Sequence, residues 1–251
     1  MKTTFKLICI TLAMSAATNL SAQLNISIEK TGDHEVPKAQ ILSEDFMTEE
    51  LTEWGSIDAK GEVSFNLEFD YMETLMKEAE KQQKDAPDGW TMSFHTVGSK
   101  YICSKYANEN SIVSENPDAK LFGLPPFFAG DTSIDANYGI MYAASNIETA
   151  KWLHSYQMDS AAKGFYAEWI FVEKASSVKG TCSLLTMTGH DSEELDVVTT
   201  YDLNFEEGWN LMLFTIEEVF NSASEKVFVA KTKITTAQFI PEDLKWFVIG
   251  D

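Results

Sequence analysis

The chain has 251 residues, with 19 lysines and no arginine against 39 aspartates and glutamates, a formal charge of −20. Arginine is the usual bidentate reader of carboxylates and phosphates, so its absence beside so much negative charge argues against nucleic acid, anionic membranes and phosphorylated ligands as partners. A chain of this length, 44% hydrophobic, is long enough to bury a sizeable core.

Residues 1–22 read as a secretory signal peptide. Lys2 and Lys6 make a positive start, Leu7 to Ala17 is an apolar run, and residues 18–22 are mostly small or polar. The run falls short of the roughly 20 apolar residues that span a bilayer. Cleavage after Ala17, with Ser15 two residues before it, fits the small-x-small rule. Cleavage after Ala22 exposes Gln23 just where the strand-like LNISIEK begins, and that site is preferred here. Cys9 sits inside the apolar run with no small residue before it, which argues against lipid attachment, and no later stretch reads as a transmembrane segment. The expectation is a soluble exported protein, periplasmic or extracellular. Loss of Lys2, Lys6 and Cys9 deepens the negative charge and leaves Cys103 and Cys182. In an oxidising compartment this pair is able to close one disulfide, worth on the order of 4 kcal/mol by chain entropy. The alternative is two buried free thiols on strands. No C-x-x-C pair points to redox catalysis.

Most of the remaining chain reads as β. Leu24, Ile26 and Ile28 alternate with polar residues, Ala39 and Ile41 suggest a second short strand, and Val63, Phe65, Leu67 and Phe69 share one strand face. Asp58-Ala59-Lys60-Gly61 supplies turn chemistry ahead of that strand. The string Asp58-Ala59-Lys60-Gly61-Glu62-Val63-Ser64-Phe65 resembles the hairpin of transthyretin-like and carboxypeptidase-regulatory β-modules. The resemblance is confined to residues 54–69, implies a β-sandwich and carries over no functional residue. A helix follows: Asp70 and Glu73 have capping-box spacing, Met72, Leu75, Met76 and Ala79 recur at helical spacing, and Pro87-Asp88-Gly89 stops it. Trp90, Met92 and Phe94 alternate as another strand. Residues 104–120 are polar without a period and read as a linker or long loop between a small β-rich domain at 23–103 and a larger antiparallel one at 121–251.

Residues 121–131 (LFGLPPFFAGD) are apolar but broken by Gly123, Pro125, Pro126 and Gly130. They are expected to form no regular element, either packing under the fold or presenting their phenylalanines. Ser145 and Glu148 form a capping box opening a short helix to about His154. Strands are expected at 165–173, 178–187, 197–205, 209–217, 227–233, 237–240 and 244–249. The pair 197–205 and 209–217 reads as a hairpin closed by Glu206-Glu207-Gly208. The fold class is therefore mainly β, antiparallel and sandwich-like, with two short-to-medium helices in two packed β-rich parts.

No nucleophile elbow, zinc helix, phosphate loop or dinucleotide fingerprint is present. His34, His95, His154 and His190 read as separate surface residues. Asp191, Glu193 and Asp196 offer oxygen ligands suited to calcium but lack EF-hand spacing. Among the aromatics, Trp54, Trp152, Phe127 and Phe128 are the candidate ligand contacts, while Trp169 and Trp209 alternate with apolar residues as core. The functional expectation is a non-enzymatic binding or surface-interaction module for a neutral partner, such as a glycan or another protein. The competing expectation is a glycan hydrolase acting through a carboxylate pair.

Overall fold

The computed structural model describes residues 23–27, 36–45, 49–67, 71–85, 87, 89 and 94–250. The signal peptide expected over 1–22, His34, and the strand expected at Trp90 and Met92 lie outside them.

The first strands are β1 (Gln23–Ser27), β2 (Ala39–Glu44), β3 (Leu51–Ile57) and β4 (Glu62–Asn66). The β3–β4 turn is held by Asp58, whose carboxylate accepts the amides of Lys60 and Glu62 at 2.8 and 2.9 Å. Helix α1 (Tyr71–Asp85) follows, with Glu73 and Lys77 paired one turn apart. Then come the one-turn helix α2 (Val97–Lys100) and the strands β5 (Glu109–Asn110), β6 (Val113–Glu115), β7 (Leu121–Gly123), β8 (Phe127–Asp131) and β9 (Ala136–Ala144). Helix α3 (Ile147–His154) leads into the long strands β10 (Gly164–Val172), β11 (Ser176–Met187), β12 (Glu194–Phe205), β13 (Gly208–Asn221) and β14 (Val227–Ala237), and β15 (Lys245–Ile249) ends the chain.

The fold is mainly β, as expected. The described strands join one 15-stranded sheet whose main path runs β1-β4-β3-β2-β8-β9-β10-β13-β14-β12-β11-β5. Its described pairings are antiparallel apart from β12 with β14. Hydrogen bonding therefore continues from the 23–103 part into the 121–251 part, through β2 and β8. No described helix is long and apolar enough to cross a membrane.

Alternation along β10 builds two cores, one on each face. Ala167 and Trp169 point into the first, with Ile41, Val63, Phe65, Phe127 and Trp246. Its rings run in a chain, Phe127 to Phe65 at 5.1 Å, Phe65 to Trp246 at 5.1 Å, and Trp246 stacked on Trp169 at 5.5 Å. β4 and β10 are far apart on the sheet path, so this contact means the sheet folds back over itself in a sandwich-like way. Ile170 and Val172 point to the opposite face, where Val97, Leu121, Leu203, Phe205 and Met212 cover one end. Each fully buried aliphatic side chain there contributes roughly 1.5–3 kcal/mol. At the other end of that face α3 lies over Ala144 and Phe247, and its Trp152 reaches Ile216 of β13.

Four local expectations give way to longer-range pairing. Strands β12 and β13 are not hydrogen-bonded neighbours: β14 lies between them. The connection passes beyond the end of β14 at Ala237, and the Asn210 side chain pins it by accepting the Glu206 amide and donating to the carbonyls of Glu206 and Gly208. The glycine turn is real, but the strand pairs formed are β11 with β12 and β13 with β14. Residues 121–131 form two strands, because Pro125 and Pro126 fall in the connection between them and remove no ladder donor. The α3 cap is Asn146, which accepts the Thr149 amide at 2.8 Å, while Ser145 accepts the Phe165 amide of β10. Gly164 (φ +152°) allows that approach, since a Cβ there would meet the side chains of Ser145, Asn146 and Thr149. The stretch 104–120, read as a linker or long loop, carries β5 and β6, both paired with β11.

Cys103 and Cys182 are joined by a disulfide with Cα atoms 5.5 Å apart, across 79 residues of sequence. It ties the chain leaving α2 to β11. Replacing both cysteines by serine is expected to lower unfolding stability by roughly 2–5 kcal/mol, read as a lower denaturant midpoint, with a slope that does not fall because the uncrosslinked chain exposes at least as much surface on unfolding. An unchanged midpoint would contradict the clamp.

Candidate functional site

On the sheet face that carries α2 at one end and α3 at the other, the side chains between them range from buried Met212 and Ile234 to exposed Glu168. One row across five strands reads Tyr166, Phe214, Ile234, Tyr201 and Gly180. The next position along β10 on this face is Glu168, opposite Met212 of β13. Glu168 is therefore the charged side chain in an otherwise apolar strand, FYAEWIFV, set between Tyr166 toward α3 and Ile170 toward α2.

Aromatic rings wall it. Tyr166 stacks on Phe214 with centroids 4.6 Å apart and planes 4° apart, and Trp152 of α3 stands 6.4 Å from Tyr166. From the α2 side Tyr101 packs at 5.8 Å on Phe205 and 5.9 Å from Tyr201, and its hydroxyl donates to the Met212 sulfur at 3.1 Å. Its position follows from local sequence: Thr96 and Ser99 cap one another reciprocally, Val97 is buried, and the disulfide holds the chain just beyond.

Glu168 is a solvent-exposed residue whose carboxyl lies close enough to neighbouring protein to be partly desolvated. That desolvation pushes its pKa up, while the nearby Lys100 ammonium pulls it part of the way back. No other carboxylate among the described residues acts on it. Burial raises the hydroxyls of Tyr101 and Tyr166 as well, with the Glu168 charge adding to both. Among the described residues, no hydrogen bond or ion pair engages the Glu168 carboxylate or the hydroxyls of Tyr166 and Tyr201. The Glu168 carboxylate and the Tyr166 hydroxyl beside it are thus free on this face, while Tyr201 lies three strands away; free polar groups among aromatic rings are the arrangement that orients a ligand.

Toward α3 the same face deepens into a cavity of about 240 Å³ beside Trp152, with Leu195, Val197, Val227 and Val229 among its apolar lining. The exposed Gln157 and Asp159 contribute polar groups to it. Tyr156 and Gln157 hold consecutive left-handed backbone conformations, φ 52° and 65°. Amide bonds back to Leu153 and Trp152 lock that turn against α3. Strain of this kind persists only where the surroundings over-determine it.

The sequence-nominated aromatics do not share one site. Trp152 lines the cavity. Trp54 and Phe127 belong instead to the first core, 5.6 Å apart, with the Trp54 indole donating to Ser43 at 2.8 Å; Phe128 is half-buried on β8. The acids of the 190–196 loop are also directed apart. Glu193 accepts from Thr188 and Ser222 and from the Ala223 amide, which ties the β11–β12 turn to the β13–β14 turn. These bonds hold its carboxyl below the usual carboxylate range, the Ser222 bond most of all. Asp196 accepts from Asn108, and Asp191 is exposed beside His190. Among the described residues no group of three or more His, Cys, Asp or Glu side chains could hold a metal ion. His154 faces Tyr142, remote in sequence from the exposed His95 and the turn residue His190. Lys100, Tyr101, Tyr166, Glu168 and Tyr201 escaped the sequence reading, and the one signal available was a lone glutamate within an apolar strand. No protein-family model, curated protein or solved structure matches the chain.

The folded state holds the Glu168 proton more tightly than the unfolded chain. Its contribution is fully present below the ordinary glutamate range and is lost as pH rises through the raised folded value. Glu168→Gln removes that loss. Denaturant unfolding of the two proteins across pH 4 to 8 is expected to show their stability difference moving in favour of the variant as pH rises. A pH-independent difference would contradict the raised carboxyl.

Proposed function

We propose that the mature chain is an exported, non-enzymatic binding protein that takes a neutral ligand on the sheet face around Glu168. The observation that carries this reading is the pair of unengaged polar groups on Tyr166 and the exposed Glu168, beside the stacked rings of Tyr166 and Phe214. A carboxylate and phenols exchange hydrogen bonds with hydroxyls, and ring faces pack on C–H surfaces, a chemistry suited to a glycan. Export rests on the N-terminal pattern of Lys2, Lys6 and the Leu7–Ala17 run. The negative charge and lack of arginine disfavour polyanions at the same site.

The competing reading is a glycan hydrolase. It finds one suitable acid in Glu168, whose carboxyl is raised, and it needs a second carboxylate about 5–10 Å away. A glycan-panel screen of the mature protein separates the two. Binding without turnover is expected, weakened about 10-fold or more by Glu168→Ala or Tyr166→Phe, in line with removal of a central contact. Hydrolysis of any panel member would contradict the non-enzymatic reading, and binding indifferent to both substitutions would place the ligand elsewhere.

A further inference from the structure

We propose that the ligand is an uncharged amphiphile, its hydroxylated head set against Glu168 and the adjacent Tyr166 and its apolar group in the cavity beside Trp152. The inference rests on the binding reading above and adds the ligand's second half. Two chemically different places lie on one continuous sheet face. Around Glu168 the free groups are polar. In the cavity the sheet supplies Leu195, Val197, Val227 and Val229, and α3 supplies Trp152.

The two are joined through Trp152, which stands 6.4 Å from Tyr166, the neighbour of Glu168 on this face. The volume of about 240 Å³ is small for a whole drug-sized ligand and suits one apolar group of it. The site asks for no net charge, because Lys100 already acts on Glu168 and Lys226 already lies over the Phe228 ring at 5.0 Å.

Titration calorimetry with methyl and octyl β-glycosides bearing glucose, galactose or maltose heads, below their micelle-forming concentrations, tests this. For at least one head the octyl form is expected to bind roughly 10-fold or more tightly than the methyl form, as burial of an apolar chain requires. Met187 lines the cavity and is 54% exposed, so Met187→Asp puts a charge there without burdening the fold. It is expected to abolish the octyl gain and leave methyl glycoside binding unchanged, while Glu168→Gln weakens both forms. Methyl glycosides that bind with no octyl gain would overturn the amphiphile and leave the binding reading standing, as would an octyl gain indifferent to Met187→Asp. Failure of every probe to bind would overturn both.

Discussion

The register of β10 against β13 is the constraint on which the remaining architecture depends. Nine consecutive pairs, from Gly164 opposite Ile216 to Val172 opposite Gly208, fix which side chains of these two strands face each way. Because side chains alternate with period two, a slip of one residue would exchange the faces. Trp169 would leave its stack on Trp246, and Glu168 would enter the core. The penalty for burying an unpaired carboxylate and the loss of the Trp169 ring contacts oppose that slip together. The candidate site and the fold therefore rest on the same alternation: one set of β10 residues closes the sandwich, and the other presents the Glu168 carboxylate on the opposite face.

Helices α2 and α3 cover the two ends of this face, and Glu168 stays exposed between them. Thr96 caps α2, and the Cys103–Cys182 link holds the chain that follows. Gly180 carries φ +122°, and a Cβ there would collide with the Ser111 carbonyl, so glycine lets residues 111–112 lie against β11. At the opposite end Asn146 caps α3, and Gly164 allows its cap to sit on β10. Neither cover is held by an apolar surface alone. Each is fixed by a cap and a glycine, and the α2 side also by a covalent link, so the walls around Glu168 stand without ligand. Such preorganisation reduces the ordering cost of binding.

Much of the β content was legible in the chain because alternation is local. The strands near 165–173, 178–187 and 197–205, the turn at Asp58–Gly61 and both longer helices follow from period and turn chemistry. Partner choice was not legible. Residues 205–209 carry the right chemistry for a tight turn, yet β14 takes the place between β12 and β13, a choice settled by contacts distant in sequence. The candidate site is not legible for a related reason. Alternation marks Ala167, Trp169 and Phe171 as a core face, but nothing local distinguishes Glu168 on the other face of the same strand in a chain so rich in acids. Trp152 stands out only as an aromatic, and its cavity is made by strands more than thirty residues further along the chain.

The central claim is that the carboxyl of the exposed Glu168 is partly desolvated by its neighbours, free of hydrogen bonds and next to Lys100. Site-resolved NMR titration of the glutamate side-chain carboxyls tests it in the free protein. Glu168 is expected to titrate above the other exposed glutamates of the chain, and Lys100→Met is expected to move it higher still, since the ammonium favours the charged form. A Glu168 that titrates with the exposed glutamates and ignores Lys100→Met would contradict the account.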